Sequence, residues 1–157
     1  MDTSSWVAAA SLLAALLSAL YARWMWGEAR RTNFLALHTN RIDVFRAFNS
    51  LRQAVQEQGN RVELQRVSAF FHASQESKFY FSEPKTSQLL GQYFDTCFAL
   101  TEQARKLARP HLTEAERNSI EEQQDILSAQ EQALFAETEK QLEKELCGAV
   151  RRKWCCA

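Results

Sequence analysis

Glycine and proline are scarce, four and two among 157 residues, and so few turn-formers cannot serve a sandwich or barrel built from many short strands. The chain is expected to be mostly helical and to form one ordinary domain. Also missing are a Gly-rich phosphate loop and a nucleophile elbow, the usual marks of phosphate handling and acyl transfer. Cys147, Cys155 and Cys156 have no fourth ligand nearby, so no metal is expected. No other residue pattern asks for a cofactor or supplies a catalytic constellation, and the chain does not read as an enzyme. A surplus of one charge is lacking too. The 19 basic and 19 acidic residues give a formal net charge of zero, which sets aside the basic balance that would make nucleic acid the default partner. Internal repeats, low-complexity tracts and linkers rich in Gly, Ser or Pro do not occur. The most local absence is the most informative: residues 3–22 carry no charge at all.

That block reads TSSWVAAASLLAALLSALYA. As a helix, its twenty residues rise about 30 Å, the thickness of a bilayer's hydrocarbon core, so a single transmembrane anchor is expected over residues 1–26. Trp6 marks one end and Tyr21, Trp24 and Trp26 mark the other, where amphipathic rings settle at headgroup level. A cleaved signal peptide is the rival reading. It asks for a basic start and a small-x-small cleavage site, whereas only Asp2 precedes the block and Leu20-Tyr21-Ala22 is a poor site. Arg23, Arg30 and Arg31 follow the block and no basic side chain precedes it. The positive-inside bias then places the N-terminus outside the inner (cell) membrane and the body in the cytoplasm. Small residues recur every four positions as Ala10, Ala14, Ser18 and Ala22, with a second row at Ser11, Ala15 and Ala19, and such rows suit self-association in the bilayer. With no ionisable group in the span, one copy has no ion site or proton relay of its own.

Residues 27–59 read as a juxtamembrane amphipathic helix. Gly27 is a point where the helix can loosen, and Phe34, Leu37, Val44, Phe45, Phe48, Leu51 and Val55 then recur at helical spacing. Gly59, reinforced by Asn60, sits where a left-handed cap would end it. Residues 60–110 form the expected helical core. One segment carries Val62, Val67, Phe70 and Phe71, and the aromatics of Lys78-Phe-Tyr-Phe81 are expected to break the period and plug the core from a connection. Ser82 then reads as the N-cap and Pro84 as the first turn of a third helix. That helix has a wide apolar face, Leu89, Leu90, Tyr93, Phe94, Cys97, Phe98, Leu100 and Leu107, and ends at Pro110. Residues 111–157 are a long acidic helix with a basic, Cys-containing tail. It opens on a Thr113-x-x-Glu116 capping box and runs to about Cys147, before Gly148. Its apolar stripe, Ile120, Leu127, Leu134, Leu142, Leu146 and Val150, is narrow, and Gln123, Gln124, Gln130 and Glu131 interrupt a coiled-coil seam. The expected fold class is all-α, one N-terminal transmembrane helix followed by a bundle of about four helices, the last one long.

Neutrality hides a gradient. Residues 23–60 hold six arginines against three acids, residues 111–149 hold ten acids against three bases, and Arg151, Arg152 and Lys153 close the chain. Basic charge beside a span suits anionic headgroups, and an acidic distal helix is repelled by them. That helix is either a solvated face or a partner for a basic face of another copy. Cys97 reads as a small hydrophobe, and Cys155 and Cys156 form no CaaX box. Arg66 with His72, and Arg105 with His111, fit the loose Arg-x-His spacing of HEPN-type RNases, a pattern that is cheap in an Arg-rich helical chain.

The run from Arg41 to Leu107, with Arg41-Ile-Asp-Val-Phe45, Phe70-Phe71, Phe79-Tyr-Phe81-Ser-Glu83 and the Leu-rich helix after it, resembles a loose group of uncharacterised bacterial proteins. These have one N-terminal span and a small helical cytoplasmic domain. In outline the chain is also similar to the small membrane accessory proteins of RNA-targeting CRISPR systems, which join one span to a helical body and assemble into rings. These likenesses imply an architecture and no activity. Three functional readings follow. The first is an anchored interaction module that self-assembles, or recruits a protein partner, at the cytoplasmic face of a lipid bilayer. The second is an oligomeric pore-forming effector in a stress or antiphage response. The third is a HEPN-like RNase.

Overall fold

The computed structural model describes the backbone of residues 3–59 and 62–154 and the side chains of residues 6, 7, 10–59 and 62–148. It contains four helices and, among the described residues, no strand: α1 (Thr3–Gln58), α2 (Leu64–Tyr80), α3 (Pro84–Leu107) and α4 (Glu114–Trp154). Two compact units divide the chain, residues 1–37 and residues 38–157. The second is a bundle built from the C-terminal part of α1 together with α2, α3 and α4.

The all-helical expectation holds, but the anchor and the first amphipathic helix are one element, with no break at Gly27. A glycine inside a helix costs only about 1 kcal/mol and does not by itself end it. Gly148 lies inside α4 for the same reason, so α4 outruns its expected end near Cys147. Gly59 is different. Its φ of 60° is the one positive value among the described residues, and a left-handed residue is what closes α1. Among the described residues no helix is long and apolar enough to cross a membrane. The twenty-residue span is therefore not an established element of this structure. Residues 3–5, 8 and 9 of the charge-free block lie outside the described side chains, and the unbroken described run from Ala10 to Ala22 rises only about 20 Å.

Two further expectations are corrected at the α2–α3 connection. Lys78, Phe79 and Tyr80 do not leave the helix; they form the last turn of α2. Successive rings there point about 100° apart, so Phe79 is exposed while Phe81, in extended backbone just past the helix, is buried. The N-cap of α3 is Glu83, not Ser82, and Glu83 makes no side-chain cap of its own. The residue before a proline is held extended, so with Pro84 opening the helix the cap falls on residue 83. The hydroxyl of Ser82 instead accepts a hydrogen bond from Arg41 Nη2 at 3.5 Å.

At the other connection the capping box forms as read. Thr113 N–H donates to Glu116 Oε2 at 2.9 Å, the Thr113 hydroxyl donates to the same oxygen at 2.7 Å, and Glu116 N–H donates to Thr113 Oγ1 at 3.3 Å. The backbone and hydroxyl bonds from Thr113 hold the Glu116 carboxyl below the usual carboxylate range. A lowered folded-state value stabilises the protein above the unfolded carboxylate range, and that contribution fades as pH falls through the lowered value. Thermal melts from about pH 7 to about pH 3 should show Thr113→Ala losing part of this acid-side decline.

The centre of the bundle holds one ring from each helix: Phe48 of α1, Phe70 of α2, Tyr93 of α3 and Phe135 of α4. Phe48 meets Tyr93 edge-on at 4.9 Å between centroids and stacks on Phe135 at 5.2 Å, and Phe70 meets Tyr93 at 6.2 Å. Offset and edge-to-face pairs of this kind add about 0.5–1.5 kcal/mol each beyond the area they bury. Val44, Leu51, Val67, Leu90, Cys97 and Leu142 close around them.

Candidate functional site

The first unit presents the residues read as a membrane interface. Trp6, Tyr21, Trp24 and Trp26 are all exposed, at 60–68% of full accessibility. Val7, Leu12, Leu13, Leu16, Leu17 and Leu20 between them are exposed too, so the apolar surface runs round most of the helix and not along one stripe. Trp6 and Trp24 are separated by a rise of about 27 Å. Tyr21 and Trp24 lie 6.2 Å apart between centroids, and the Arg30 guanidinium sits 3.6 Å over the Trp26 ring. Arg23 and Arg31 are exposed on the same helix, as are Ala10, Ala14, Ser18 and Ala22. The hydroxyls of Ser11 and Ser18 donate to Val7 O and Ala14 O, both at 2.8 Å. Their donors are spent within the helix, and the rows of small residues offer a surface that asks for no polar partner.

The bundle holds a polar cluster that the sequence pattern did not single out. Glu131, only 2% exposed, accepts two bonds from Arg52 Nη1, at 2.8 and 2.6 Å, and one from the Tyr93 hydroxyl at 2.7 Å. The Arg52 guanidinium also lies 4.6 Å from the centroid of the Phe135 ring. Burial raises the Tyr93 hydroxyl far above its ordinary value, with the Cys97 thiol and Glu131 adding to the rise and Arg52 opposing it. Burial likewise pushes the Cys97 thiol up to about 12, with Glu131 adding to it. A thiol that holds its proton is a poor nucleophile. The cluster joins α1, α3 and α4 and has no reactive member aimed at an opening.

Two more polar residues tie helix ends. Arg41, 8% exposed, donates through Nε to the Tyr80 carbonyl at 2.6 Å, satisfying one of the orphan acceptors at the end of α2. Glu145, 6% exposed, accepts from Glu83 N–H at 2.9 Å and from the Thr86 hydroxyl at 3.4 Å. α4 therefore supplies the cap that α3 lacks. Glu145→Ala should cost about 1–2 kcal/mol in urea denaturation, the range for a lost N-cap and a stranded buried donor.

The structure does not assemble either RNase pair. Arg66 and His72 are both exposed on α2, where six positions place them about 120° apart round the axis. Arg105 is in the last turn of α3 and His111 is in the connection beyond it, and both are exposed. Among the described residues no group of three or more His, Cys, Asp or Glu is placed to hold a metal ion. Arg151, Arg152, Lys153, Cys155 and Cys156 lie outside the described side chains, as do Asn60 and Val150.

No family model, curated protein or solved structure matches the chain, so its functional reading rests on its own residues.

Proposed function

We propose that the chain is a membrane-anchored helical interaction module. Residues 1–26 sit in a bilayer with the N-terminus outside, and the bundle self-assembles or holds a protein partner at the cytoplasmic face. The observation that carries this reading is the exposure of the large apolar side chains from Trp6 to Trp26, which cover roughly 260° of the helix circumference, with alanine and serine on the rest. A helix that is apolar over most of its circumference is accommodated in a protein core or in lipid, and the flanking rings and Arg23, Arg30 and Arg31 suit the two interfaces. No chemistry belongs to this reading.

Self-assembly is supported by the row Ala10, Ala14, Ser18 and Ala22. The pore reading draws less support from the same face, because its serine hydroxyls bond to their own backbone and leave little to line a water-filled channel. The mass of the protein component of the detergent-solubilised particle separates these cases. A closed assembly of two or more 18.1 kDa chains is expected, and a strict monomer at high protein density would rule out self-assembly. Full-length protein should leave dye-loaded liposomes sealed; leakage lost on deleting residues 1–26 would favour the pore.

A further inference from the structure

The polar residues turned inward on α4 fall seven apart: Gln124, Glu131, Thr138 and Glu145 are all buried. Glu131 and Glu145 have partners on other helices, as described. Gln124 does not. It is 7% exposed, makes no hydrogen bond among the described residues, and lines a cavity of about 760 Å³ at the end of the bundle where α1 and α3 finish and α2 and α4 begin. That volume is in the range of small-molecule sites. The Gln124 amide is not among the buried unpartnered polar atoms of the described residues, so it opens on the cavity and can bond what enters there.

The remaining polar lining defines what that would be. Arg105 of α3 and Arg117 of α4 border the cavity, and neither is in an ion pair among the described residues. Guanidinium forks match carboxylate and phosphate oxygens. The Thr101 hydroxyl, spent as a donor on Cys97 O at 3.0 Å, keeps acceptor capacity. Glu63 and Glu121 line the same space. Among the described lining residues two cations stand beside two acids. They suit a small molecule that combines an anionic group with donors.

We propose that this cavity binds a small metabolite bearing a carboxylate or phosphate together with hydroxyl or amino groups. Arg105 and Arg117 hold the anion, Glu63 and Glu121 accept from the donors, and the Gln124 amide contributes one donor and one acceptor at the buried side. The site is independent of the membrane reading and can fail without it.

The test is isothermal titration of the full chain, in a detergent without charged headgroups, with inorganic phosphate, ATP, citrate and glutamate at matched ionic strength. At least one probe should bind with a Kd below about 1 mM. The phosphate and ATP arms against the citrate and glutamate arms identify the anion. Arg105→Gln with Arg117→Gln should weaken that binding about tenfold or more, with an unchanged helical circular dichroism spectrum. Gln124→Leu should weaken it several-fold with an unchanged helical circular dichroism spectrum, since the variant keeps a similar volume and loses the donor and acceptor of the amide. The proposal is overturned if none of the four probes binds below about 1 mM, or if the double variant binds as tightly as the parent.

Discussion

Arg52→Ala is expected to destabilise the bundle by about 3–5 kcal/mol, the cost of stranding a buried charge by removing its partner. Glu131 would be left 2% exposed with only the Tyr93 hydroxyl as donor. The reverse change, Glu131→Leu, should cost less. The Arg52 side chain retains 18% exposure, and its guanidinium keeps the Phe135 face, so the arginine can reach water where the carboxylate cannot. Both bonds to Glu131 come from Nη1, and Arg52 Nε is buried without a partner among the described residues, so the pair falls short of the two-pronged geometry that makes such pairs strong. Replacing both members, Arg52→Met with Glu131→Leu, should therefore recover most of the loss. Urea denaturation of the two single variants and the double variant checks this. An Arg52→Ala cost under about 1 kcal/mol, or a double variant less stable than Arg52→Ala alone, would show that the pair is not the buried lock described here.

The second large effect concerns the first unit. Leu13→Arg with Leu17→Arg places two charges in the middle of the apolar block, where each Leu-to-Arg exchange costs about 3 kcal/mol in bilayer insertion. Together that is about 6 kcal/mol, roughly four orders of magnitude in partition. The double variant should leave the membrane fraction. Because Leu13 and Leu17 are already exposed at 61% and 66% and belong to the first unit, the unfolding midpoint of the bundle should not change. A bundle that unfolds along with the loss of membrane association would instead mean that these leucines contribute to folding.

What was legible in the sequence was local. Gly59, the Thr113 and Glu116 capping box, and Pro84 at the head of α3 each act within one turn of chain, and each appears as read. The inward face of α4 was not legible. The stripe Ile120, Leu127 and Leu134 is only its flank; the buried line through Gln124, Glu131 and Thr138 lies roughly 40° round the helix. A polar residue reads as solvent-facing until its partner is known, and Glu131 meets Arg52 across 79 positions, Glu145 meets Glu83 across 62, and Arg41 meets Tyr80 across 39. The same long-range pairing explains two members of the acidic run of α4. Glu131 and Glu145 are not part of a solvated face or of a contact between copies; they hold α4 in register within its own bundle. At Gly27 and Gly148 the local signal misled, because the flanking residues favour helix strongly enough to carry the chain through.

The central claim, that residues 1–26 anchor the chain in a bilayer, is tested most directly by alkaline carbonate extraction of membranes from cells producing the full chain or the chain lacking those residues. The full chain should stay in the membrane pellet and the truncated chain should move to the supernatant. A full chain released by carbonate would contradict the anchor.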